Sequence, residues 1–216
     1  MTLAAASRSE IMMPAMGCGS LDLLALRLDI ASDLVHEMSA CLSEDEHQRA
    51  RGLVRERDRR RFVATRGHLR HILASKLGIP PSDVELEYGP QGKPRLSSRM
   101  PSKELRFGIS RSEDLAIVAL SNTREIGVDI EAVHPIAEAD DIAALCFSVP
   151  EYESLRSLTP QERVEGFFRR WTRLEAISKA IGCGLGQLVA SDEGDWEALT
   201  FVPEPGYIGT VVFQKS

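Results

Sequence analysis

The spacing of apolar residues predicts where the strands and helices lie. Leu21–Ile30 is mostly apolar with a partial alternation, which is typical of a strand. Ser43 and Glu46 then have the spacing of a capping box, which predicts the start of a long helical stretch. Apolar residues recur along this stretch at helical intervals: Phe62, Leu69, Ile72, Leu73 and Leu77. The turn residues of Gly78–Pro81 end it.

The rest of the chain contains separate runs of strands and helices. Short apolar segments predict six further strands: Val84–Tyr88, Leu105–Ser110, Leu115–Ser121, Glu125–Ala132, Trp196–Val202 and Tyr207–Gln214. Gly89–Pro94, after the first of these, is predicted to be a loop or tight turn. After Pro135, longer segments predict the helices Ile136–Phe147, Pro150–Leu158 and Gln161–Ile181. The glycines of Gly182–Gly186 end the last helix. Because strands and helices are grouped rather than alternating, the predicted fold class is α+β.

Charge is concentrated in one part of the chain. The net charge of the 216 residues is -6. Residues 49–70, however, contain nine arginines against two carboxylates, Glu56 and Asp58, so the remainder is about -13; the arginines are Arg49, Arg51, Arg55, Arg57, Arg59, Arg60, Arg61, Arg66 and Arg70. An acidic protein with one arginine-rich segment is expected to hold an anion there. Two or three of the arginines suffice for that, and the others are expected to form a solvated helix face.

The remaining composition indicates a protein of the cytoplasm. The four cysteines have no metal-binding spacing, so we expect reduced thiols: Cys18, Cys41, Cys146 and Cys183. No apolar run approaches the roughly 18 residues of a transmembrane helix. Residues 1–19 lack the continuous apolar core of a signal peptide and are interpreted as a loose N-terminal extension.

Two segments carry acidic and basic side chains in a pattern suited to a metal ion and an anion. In Ile126–Glu131, Asp129 and Glu131 point from the same face of the predicted strand. In Trp171–Lys179, Glu175 and Lys179 lie one helical turn apart. Carboxylates are the ligands that Mg²⁺ prefers. The alternative is a solvent-facing edge strand and an exposed salt bridge.

The two segments together resemble the signature of 4'-phosphopantetheinyl transferases, of the type that activates surfactin synthetase. That signature reads G-V/I-D-I/V-E and, further on, W-T/S-x-K-E-A/S-x-x-K, and the matches extend from about residue 43 to 186. The resemblance implies a monomer of two similar α+β halves, related by a pseudo-twofold axis, with the active site at their interface. Residues 20–120 would form the nucleotide side of coenzyme A, and residues 121–216 the metal and catalytic side.

The resemblance also implies roles for particular residues. Asp129, Glu131 and Glu175 would bind Mg²⁺ against the pyrophosphate of coenzyme A. Glu175 is in addition a candidate base for the acceptor serine, and Lys179 would neutralise charge on the leaving phosphate. Coenzyme A would contact a larger set of matched positions: Arg49, Arg61, Gly92, Lys93, Pro94, Ser110 and Arg111. Trp171 is interpreted as a core residue under the site.

Two positions depart from the family pattern. Phe107–Ser112 stands where the family usually reads F-N-x-S-H-S, so Arg111 replaces a histidine and keeps a positive charge for a coenzyme A phosphate. Leu174 replaces the lysine that normally precedes the catalytic glutamate, which removes a cation from the phosphates. Arg173 does not substitute for it, because it would point about 100° away around the helix.

The function implied by the resemblance is transfer of the 4'-phosphopantetheine group from coenzyme A to a serine of an acyl or peptidyl carrier protein, which releases adenosine 3',5'-bisphosphate. The carrier is expected to dock near the helical face after Pro135. Leu174 motivates an alternative, a weakened relative that binds coenzyme A or a carrier without turnover. Nucleic-acid binding through residues 49–70 is a further alternative, opposed by the acidic remainder of the chain and the 6% aromatic content.

Overall fold

The structure is a computed structural model that describes residues 8–10, 21–102, 104–184 and 195–215. Its nine strands within those residues are β1 (Arg8–Glu10), β2 (Leu21–Arg27), β3 (Leu86–Tyr88), β4 (Pro94–Leu96), β5 (Arg106–Ser112), β6 (Leu115–Ser121), β7 (Ile126–Ala132), β8 (Trp196–Phe201) and β9 (Tyr207–Gln214). The helices are α1 (Ser32–Ala40), α2 (Glu44–Arg51), α3 (Glu56–Leu77), α4 (Ala139–Cys146), α5 (Val149–Arg156) and α6 (Pro160–Ile181), with a short 3₁₀ turn at Pro81–Asp83.

The strands form two larger antiparallel sheets and one small hairpin. The first sheet has the order β1-β2-β6-β5, and the second has the order β7-β9-β8. β3 and β4 pair as a separate hairpin. Grouped strands and helices, with antiparallel sheets throughout the described residues, confirm the predicted mixture of the two element types.

The two sheets pack against each other, and each carries one long helix on its other face. Alternate residues of β6 and β7 meet in a buried cluster between the sheets: Leu115, Ile117, Ala119, Ile126, Val128 and Ile130. The opposite face of β6 packs against α3 through a second cluster, which includes Leu69, Leu73, Ala116 and Val118. α6 covers the opposite face of the second sheet, where Ala176 and Ile177 contact Val212. This alternation follows from the two-residue period of a strand.

Strand β5, at the edge of the first sheet, runs beside β7 in the same direction. Arg106 binds Glu125, Ser110 binds Asp129, and Ser112 binds Glu131. Gly108 faces the backbone of Gly127 and Val128 at the same position along the strands. The side chains of β5 are thereby brought to the predicted carboxylate strand.

Most predicted elements are present, with three corrections. The long helical stretch after Ser43 is two helices, α2 and α3, because Gly52 ends α2 and the chain turns before Glu56. Helix α1 and strand β4 were not predicted, since both are short and weakly patterned, whereas β3 lies within the predicted strand Val84–Tyr88. Part of the predicted N-terminal extension, Arg8–Glu10, is a strand paired with β2.

The remaining predictions at the level of elements agree with the structure or lie outside it. The capping box of Ser43 and Glu46 forms as predicted. Gly182 ends α6 in the left-handed conformation that glycine adopts readily. Cys41, Cys146 and Cys183 are free thiols, whereas Cys18 and the end of the Gly182–Gly186 segment lie outside the described residues. None of the helices in the described ranges is long and apolar enough to cross a bilayer.

Candidate active site

The carboxylate strand β7 has one apolar face and one polar face, as its sequence predicts. Ile126, Val128 and Ile130 are buried between the sheets. Gly127, Asp129 and Glu131 alternate with them and face α6, the helix that carries Glu175 and Lys179. The two predicted segments therefore pack together.

Gly127 allows this packing to be unusually close. A Cβ atom at position 127 would lie 2.1 Å from the carbonyl oxygen of Ala176 and 2.7 Å from the backbone nitrogen of Ala180. Only glycine leaves room for the helix backbone at this distance. This contact sets the position of α6 against β7. Lys179 of α6 then reaches Asp129, which lies two residues along the strand from Gly127.

Asp129 lies at the centre of a small polar cluster. It is buried, and its Oδ1 accepts hydrogen bonds from Lys179 Nζ at 2.5 Å and from Ser110 Oγ at 2.8 Å. Lys179 Nζ also lies 3.0 Å from Ser110 Oγ. The second oxygen of Asp129, Oδ2, is buried with no hydrogen-bond partner among the described residues. A buried carboxylate oxygen without a partner is costly, and it is a place where a cation would be stabilised.

The other two carboxylates are less accessible to water than ordinary glutamates. Burial raises the pKa of Glu131, and the nearby Asp129 and Glu175 add to the increase. Ser112 Oγ donates to Glu131 Oε2 at 2.8 Å and opposes the shift. Burial likewise raises the pKa of Glu175, with Lys179 opposing and Asp129 reinforcing the change. The three carboxylates repel one another near the ammonium group of Lys179, and a divalent cation would reduce this repulsion.

The three carboxylates do not form a closed cage. In the portions of the chain that are described, no three His, Cys, Asp or Glu side chains converge as a preformed metal cluster, and Lys179 occupies Oδ1 of Asp129. The donor set nevertheless fits Mg²⁺, which binds through one or two carboxylates and completes its shell with water and substrate phosphates. The unpartnered Oδ2 of Asp129 is the observation that supports this fit.

The predicted phosphate turn lies next to the carboxylate cluster. A cavity of about 230 Å³ lies between this turn and the two predicted segments, which contribute Gly127 and Lys179 to its lining but none of the three carboxylates. The full lining is Arg66, Gln91, Gly92, Lys93, Pro94, Phe107, Gly108, Ile109, Gly127, Ser178, Lys179, Gly182 and Cys183. Lys93 Nζ donates to the carbonyl oxygen of Ala180 at 2.6 Å, which ties the turn to α6. Burial lowers the pKa of Lys93, although Glu125, 3.5 Å away, favours its charged form. The sequence thus identified two walls of one cavity from segments more than thirty residues apart.

The predicted arginines have different surroundings. Arg61 is buried and makes a two-pronged hydrogen bond with Asp29, 2.7 Å at each prong, and a third contact with Glu113 at 3.3 Å. Its guanidinium is therefore occupied by carboxylates of the protein, which raise its pKa. Arg49 is exposed, with its guanidinium 4.1 Å from the ring centre of Tyr88. Arg111 at the end of β5 makes no hydrogen bond through its side chain in the described segments.

Most arginines of the arginine-rich segment contact other groups of the protein. Six of its nine arginines bind other groups of the protein: Arg51, Arg57, Arg59, Arg60, Arg61 and Arg70. Arg70 is the most buried of these and pairs with Glu46 at 2.7 Å. Arg49, Arg51, Arg55 and Arg57 are exposed, as predicted for a solvated helix face, whereas Arg61 and Arg70 are buried and paired with carboxylates. This neutralisation argues against a nucleic-acid surface, which requires free cations.

One cationic residue of the cavity lining was not singled out from the sequence. Arg66 lies on α3, one turn after Phe62, and reaches the cavity that contains Lys93 and Lys179. The signal available in the sequence was its helical phase, since a residue four positions after a core-facing residue shares its face.

The departure at position 174 places an apolar side chain in the core. Leu174 is buried in the apolar cluster formed by α4, α5 and α6, together with Phe147, Phe167 and Ile208. Trp171, in the same cluster, stacks on Phe167 with ring centres 5.9 Å apart, which confirms its interpretation as a core residue. Position 174 therefore carries no cation and contributes instead to the apolar packing of this cluster.

Comparison with known proteins agrees with this site. A family model described as the 4'-phosphopantetheinyl transferase superfamily matches residues 125–212, which include β7 and α6. A second, described as the N-terminal part of a 4'-phosphopantetheinyl transferase, matches residues 31–123. The chain belongs to the 4'-phosphopantetheinyl transferase superfamily.

Three relatives illustrate the range of the similarity. The chain is 40% identical to the 4'-phosphopantetheinyl transferase HetI of Nostoc sp. over 161 residues, which cover 74% of this chain and 68% of the relative. It is 37% identical to the 4'-phosphopantetheinyl transferase AcpT of Escherichia coli, over 62% of this chain and 64% of the relative. It is 31% identical to the human L-aminoadipate-semialdehyde dehydrogenase-phosphopantetheinyl transferase, over 67% of this chain and 50% of the relative. The aligned segments thus span from half to about two thirds of these relatives.

Proposed function

We propose that the protein transfers the 4'-phosphopantetheine group of coenzyme A to a serine of an acyl or peptidyl carrier protein, which releases adenosine 3',5'-bisphosphate. The observation that carries the proposal is the position of the Asp129–Lys179 pair beside the cavity lined by Gly92, Lys93 and Pro94. Membership of the superfamily supports the same reaction. The finer proposal is a cytoplasmic monomer of the surfactin-synthetase-activating, holo-acyl-carrier-protein-synthase type.

The basic residues of the cavity supply the charge that this reaction requires. Phosphoryl-type transfer depends mainly on positioning and on neutralising negative charge. Lys93 and Lys179 place ammonium groups on two walls of the cavity, and Arg111 and Arg49 would extend the positive charge toward the nucleotide. Arg61 would contribute by its charge rather than by contact, because its donors are engaged with Asp29 and Glu113.

Glu175 would act on the attacking serine. Its raised pKa makes it a better proton acceptor than an ordinary glutamate, and its place on α6, one turn before Lys179, puts it at the edge of the cluster. Ser110 would hold Asp129 and Lys179 in place rather than react, since its hydroxyl contacts both.

Asp129, Glu131 and Glu175 would hold Mg²⁺. The ion would supply positive charge to the pyrophosphate of coenzyme A when bound. The unpartnered Oδ2 of Asp129 and the repulsion among the three carboxylates support this assignment. An open ligand set is suitable, because the pyrophosphate itself would complete the coordination.

The two halves, residues 20–120 and 121–216, would be related by a pseudo-twofold axis. Each contains a strand, two short helices, a 22-residue helix and a final pair of strands, with the β3–β4 hairpin as an addition in the first half. In each, the last strand pairs with the other two, giving the orders β2-β6-β5 and β7-β9-β8. The repeated order supports the proposal, and the candidate site lies where β5 of one half runs beside β7 of the other.

The test is incubation of the purified protein with Mg²⁺, coenzyme A and a panel of apo acyl and peptidyl carrier proteins, followed by intact mass spectrometry. We expect a gain of one phosphopantetheine on at least one carrier. EDTA and Asp129→Ala should abolish the gain, whereas Asp22→Ala, which alters an exposed pair with Lys76, should retain it. Coenzyme A binding without transfer to any carrier would favour the weakened relative, and absence of both would contradict the proposed function.

A further inference from the structure

Glu125, the residue immediately before β7, lies where β5, β7, β9 and the turn before β4 meet. Its Oε1 accepts a hydrogen bond from Arg106 Nε, at the start of β5, at 2.7 Å. Its Oε2 lies 3.5 Å from the Nζ of Lys93, in the turn before β4. Its backbone carbonyl oxygen accepts a hydrogen bond from the backbone N–H of Gln214, at the end of β9, at 3.1 Å. One carboxylate therefore faces two cations that belong to separate segments.

Lys93 lies at the carboxyl end of α6. Its Nζ donates to the carbonyl oxygen of Ala180 at 2.6 Å. Ala180 is in the last turn of α6, where carbonyl oxygens have no partner within the helix. A Cβ atom on Gly182, just after the helix, would lie 3.8 Å from Lys93 Cδ and 3.7 Å from Arg95 NH2. Two cationic side chains thus stand at the end of the helix that carries partial negative charge.

The charges around Lys93 are mostly positive. Lys93 lines two adjoining cavities, of about 230 Å³ and 340 Å³, whose walls also carry the cations Arg66, Lys179, Arg95 and Arg106. Among the described residues that line these cavities, Glu125 is the one carboxylate. Burial lowers the pKa of Lys93, and Arg95 and Arg106 lower it further, whereas Glu125 raises it. The Lys93 side chain is 12% exposed, so water screens these charges only weakly.

The geometry separates the role of Glu125 from that of Ala180. An ammonium group has three N–H donors, and Ala180 takes one of those of Lys93 through a short contact. The 3.5 Å distance to Glu125 is long for a hydrogen bond, so the carboxylate acts on Lys93 mainly through its charge. Because Arg106 binds the other oxygen of Glu125, the carboxylate is held in place independently of Lys93.

We propose that Glu125 is a positioning residue of the candidate site, whose carboxylate, fixed by Arg106, holds the ammonium group of Lys93 at the end of α6 with a donor left for coenzyme A. The inference rests on the proposed function, because Lys93 serves the reaction as a contact for that substrate. Without the charge of Glu125, burial and the neighbouring cations would favour neutral Lys93.

The test measures KM for coenzyme A and kcat of carrier modification between about pH 6 and about pH 9, below the ordinary pKa of lysine. Glu125→Gln keeps the shape and removes the charge, and it should raise KM about 2- to 5-fold at neutral pH with kcat largely retained. The ratio of the variant KM to the wild-type KM should grow with pH, because Lys93 loses its proton at a lower pH in the variant. Glu165→Gln removes the carboxylate of an exposed pair with Arg169 and is the matched control.

A double variant shows whether Glu125 acts through Lys93. If it does, Glu125→Gln should change KM no further when Lys93→Met is already present. The same increase in both backgrounds would overturn the inference. So would KM values for Glu125→Gln that equal those of Glu165→Gln at every pH.

The conservative variant separates charge from shape. Glu125→Asp keeps the charge and should retain the wild-type pH dependence of KM; the pH dependence of Glu125→Gln in this variant would contradict a role for the charge. If Glu125→Gln does not fold, as judged by circular dichroism, Glu125→Asp replaces it in the comparison with Lys93→Met. Failure of the wild-type chain to bind coenzyme A or to modify any carrier would instead contradict the proposed function.

Discussion

At the scale of single residues, the site depends on one carboxylate whose two oxygens are in different situations. Oδ1 of Asp129 is saturated by Lys179 and Ser110, while Oδ2 is buried without a partner in the described residues. Lys179 therefore compensates the charge of a buried carboxylate. In the proposed reaction it would also contact a substrate phosphate.

Lys179→Met should lower the rate of carrier modification by about 10²- to 10³-fold, since removal of one group that stabilises developing charge typically has an effect of this size. Lys179→Arg should retain part of the rate. The measurement is the initial rate of mass gain on a carrier protein that the wild-type chain modifies. Lys76→Met removes a lysine from an exposed pair with Asp22 and is the control. Equal rates for Lys179→Met and Lys76→Met would show that Lys179 has no part in the reaction.

A second ion pair, between Arg70 and Glu46, has a structural role. Arg70 and Glu46 have side chains 3% and 1% exposed, and Arg70 also donates to the carbonyl oxygen of Val84 at 2.8 Å. Glu46 completes the capping box of α2 as well. Arg70 thus joins α3, α2 and the loop before β3 through one side chain.

Arg70→Met should reduce the free energy of unfolding by about 3–5 kcal/mol, because it leaves the carboxylate of Glu46 buried without its partner. Urea unfolding followed by circular dichroism measures the change. Arg51→Met breaks the exposed pair with Glu44, and its effect should stay within about 1 kcal/mol. Similar values for the two variants would contradict the structural role of Arg70.

At the scale of elements, the site is made by the close crossing of α6 over β7. The apolar face of β7 and the helical spacing of α6 were predictable from sequence, because both follow from local periodicity. The identity of Gly127 as the contact point was not, since a glycine within a strand does not show which element approaches it. The same limit applies to Arg66, whose route to the cavity depends on how the first sheet packs.

Gly127→Ala tests the crossing. Its Cβ would overlap the backbone of α6, so the helix must shift, and we expect a loss of stability of about 1–3 kcal/mol or more. The shift should also separate Lys179 from Asp129 and reduce carrier modification beyond what lost stability explains. Urea unfolding and rates at a temperature where the variant is folded measure both effects. Gly52→Ala, at the exposed end of α2, is the control, and equal behaviour of the two variants would contradict the close contact.

At the scale of the whole molecule, the cavity beside Lys179 is lined by residues from both proposed halves. The element types and the carboxylate, lysine and glycine-lysine-proline positions were predictable, because each appears in a short segment. The split of the nine arginines into internal partners and free cations was not predictable, since it depends on partners such as Asp29 and Glu113 that come together only in the fold.

A polar network joins the two larger sheets through Tyr207, Asp114 and Arg27. The Tyr207 hydroxyl, at the start of β9, donates to Asp114 Oδ1 at 2.7 Å, in the turn between β5 and β6. Arg27 of β2 binds Asp114 at 3.0 Å and also pairs with Glu204. Burial and the hydrogen bond to Asp114 raise the pKa of Tyr207 to about 12, and the same hydrogen bond leads the causes that lower the pKa of Asp114.

The directions of these two pKa shifts predict the pH range in which the network stabilises the fold. The lowered pKa of Asp114 means that its contribution is present above the unfolded value of about 3.9 and is lost as the pH falls through the folded value. The raised pKa of Tyr207 means that its contribution is complete below the unfolded value of about 10 and is lost as the pH rises through about 12. The hydrogen bond between Tyr207 and Asp114 should therefore stabilise the fold at neutral pH and lose this effect at strongly acidic and strongly basic pH.

Tyr207→Phe should lower the free energy of unfolding at pH 7 by about 0.5–1.5 kcal/mol, because it removes one hydrogen bond to a partly buried carboxylate. The difference from wild type should shrink below about pH 4, where Asp114 is protonated in the unfolded chain, and again above about pH 10. Urea unfolding at a series of pH values measures it. Tyr152→Phe, on α5, provides the matched loss of a hydroxyl outside this network. A Tyr207→Phe effect that is constant from pH 3 to pH 11 would mean that packing of the ring, and not its hydrogen bond to Asp114, holds this end of the two halves together.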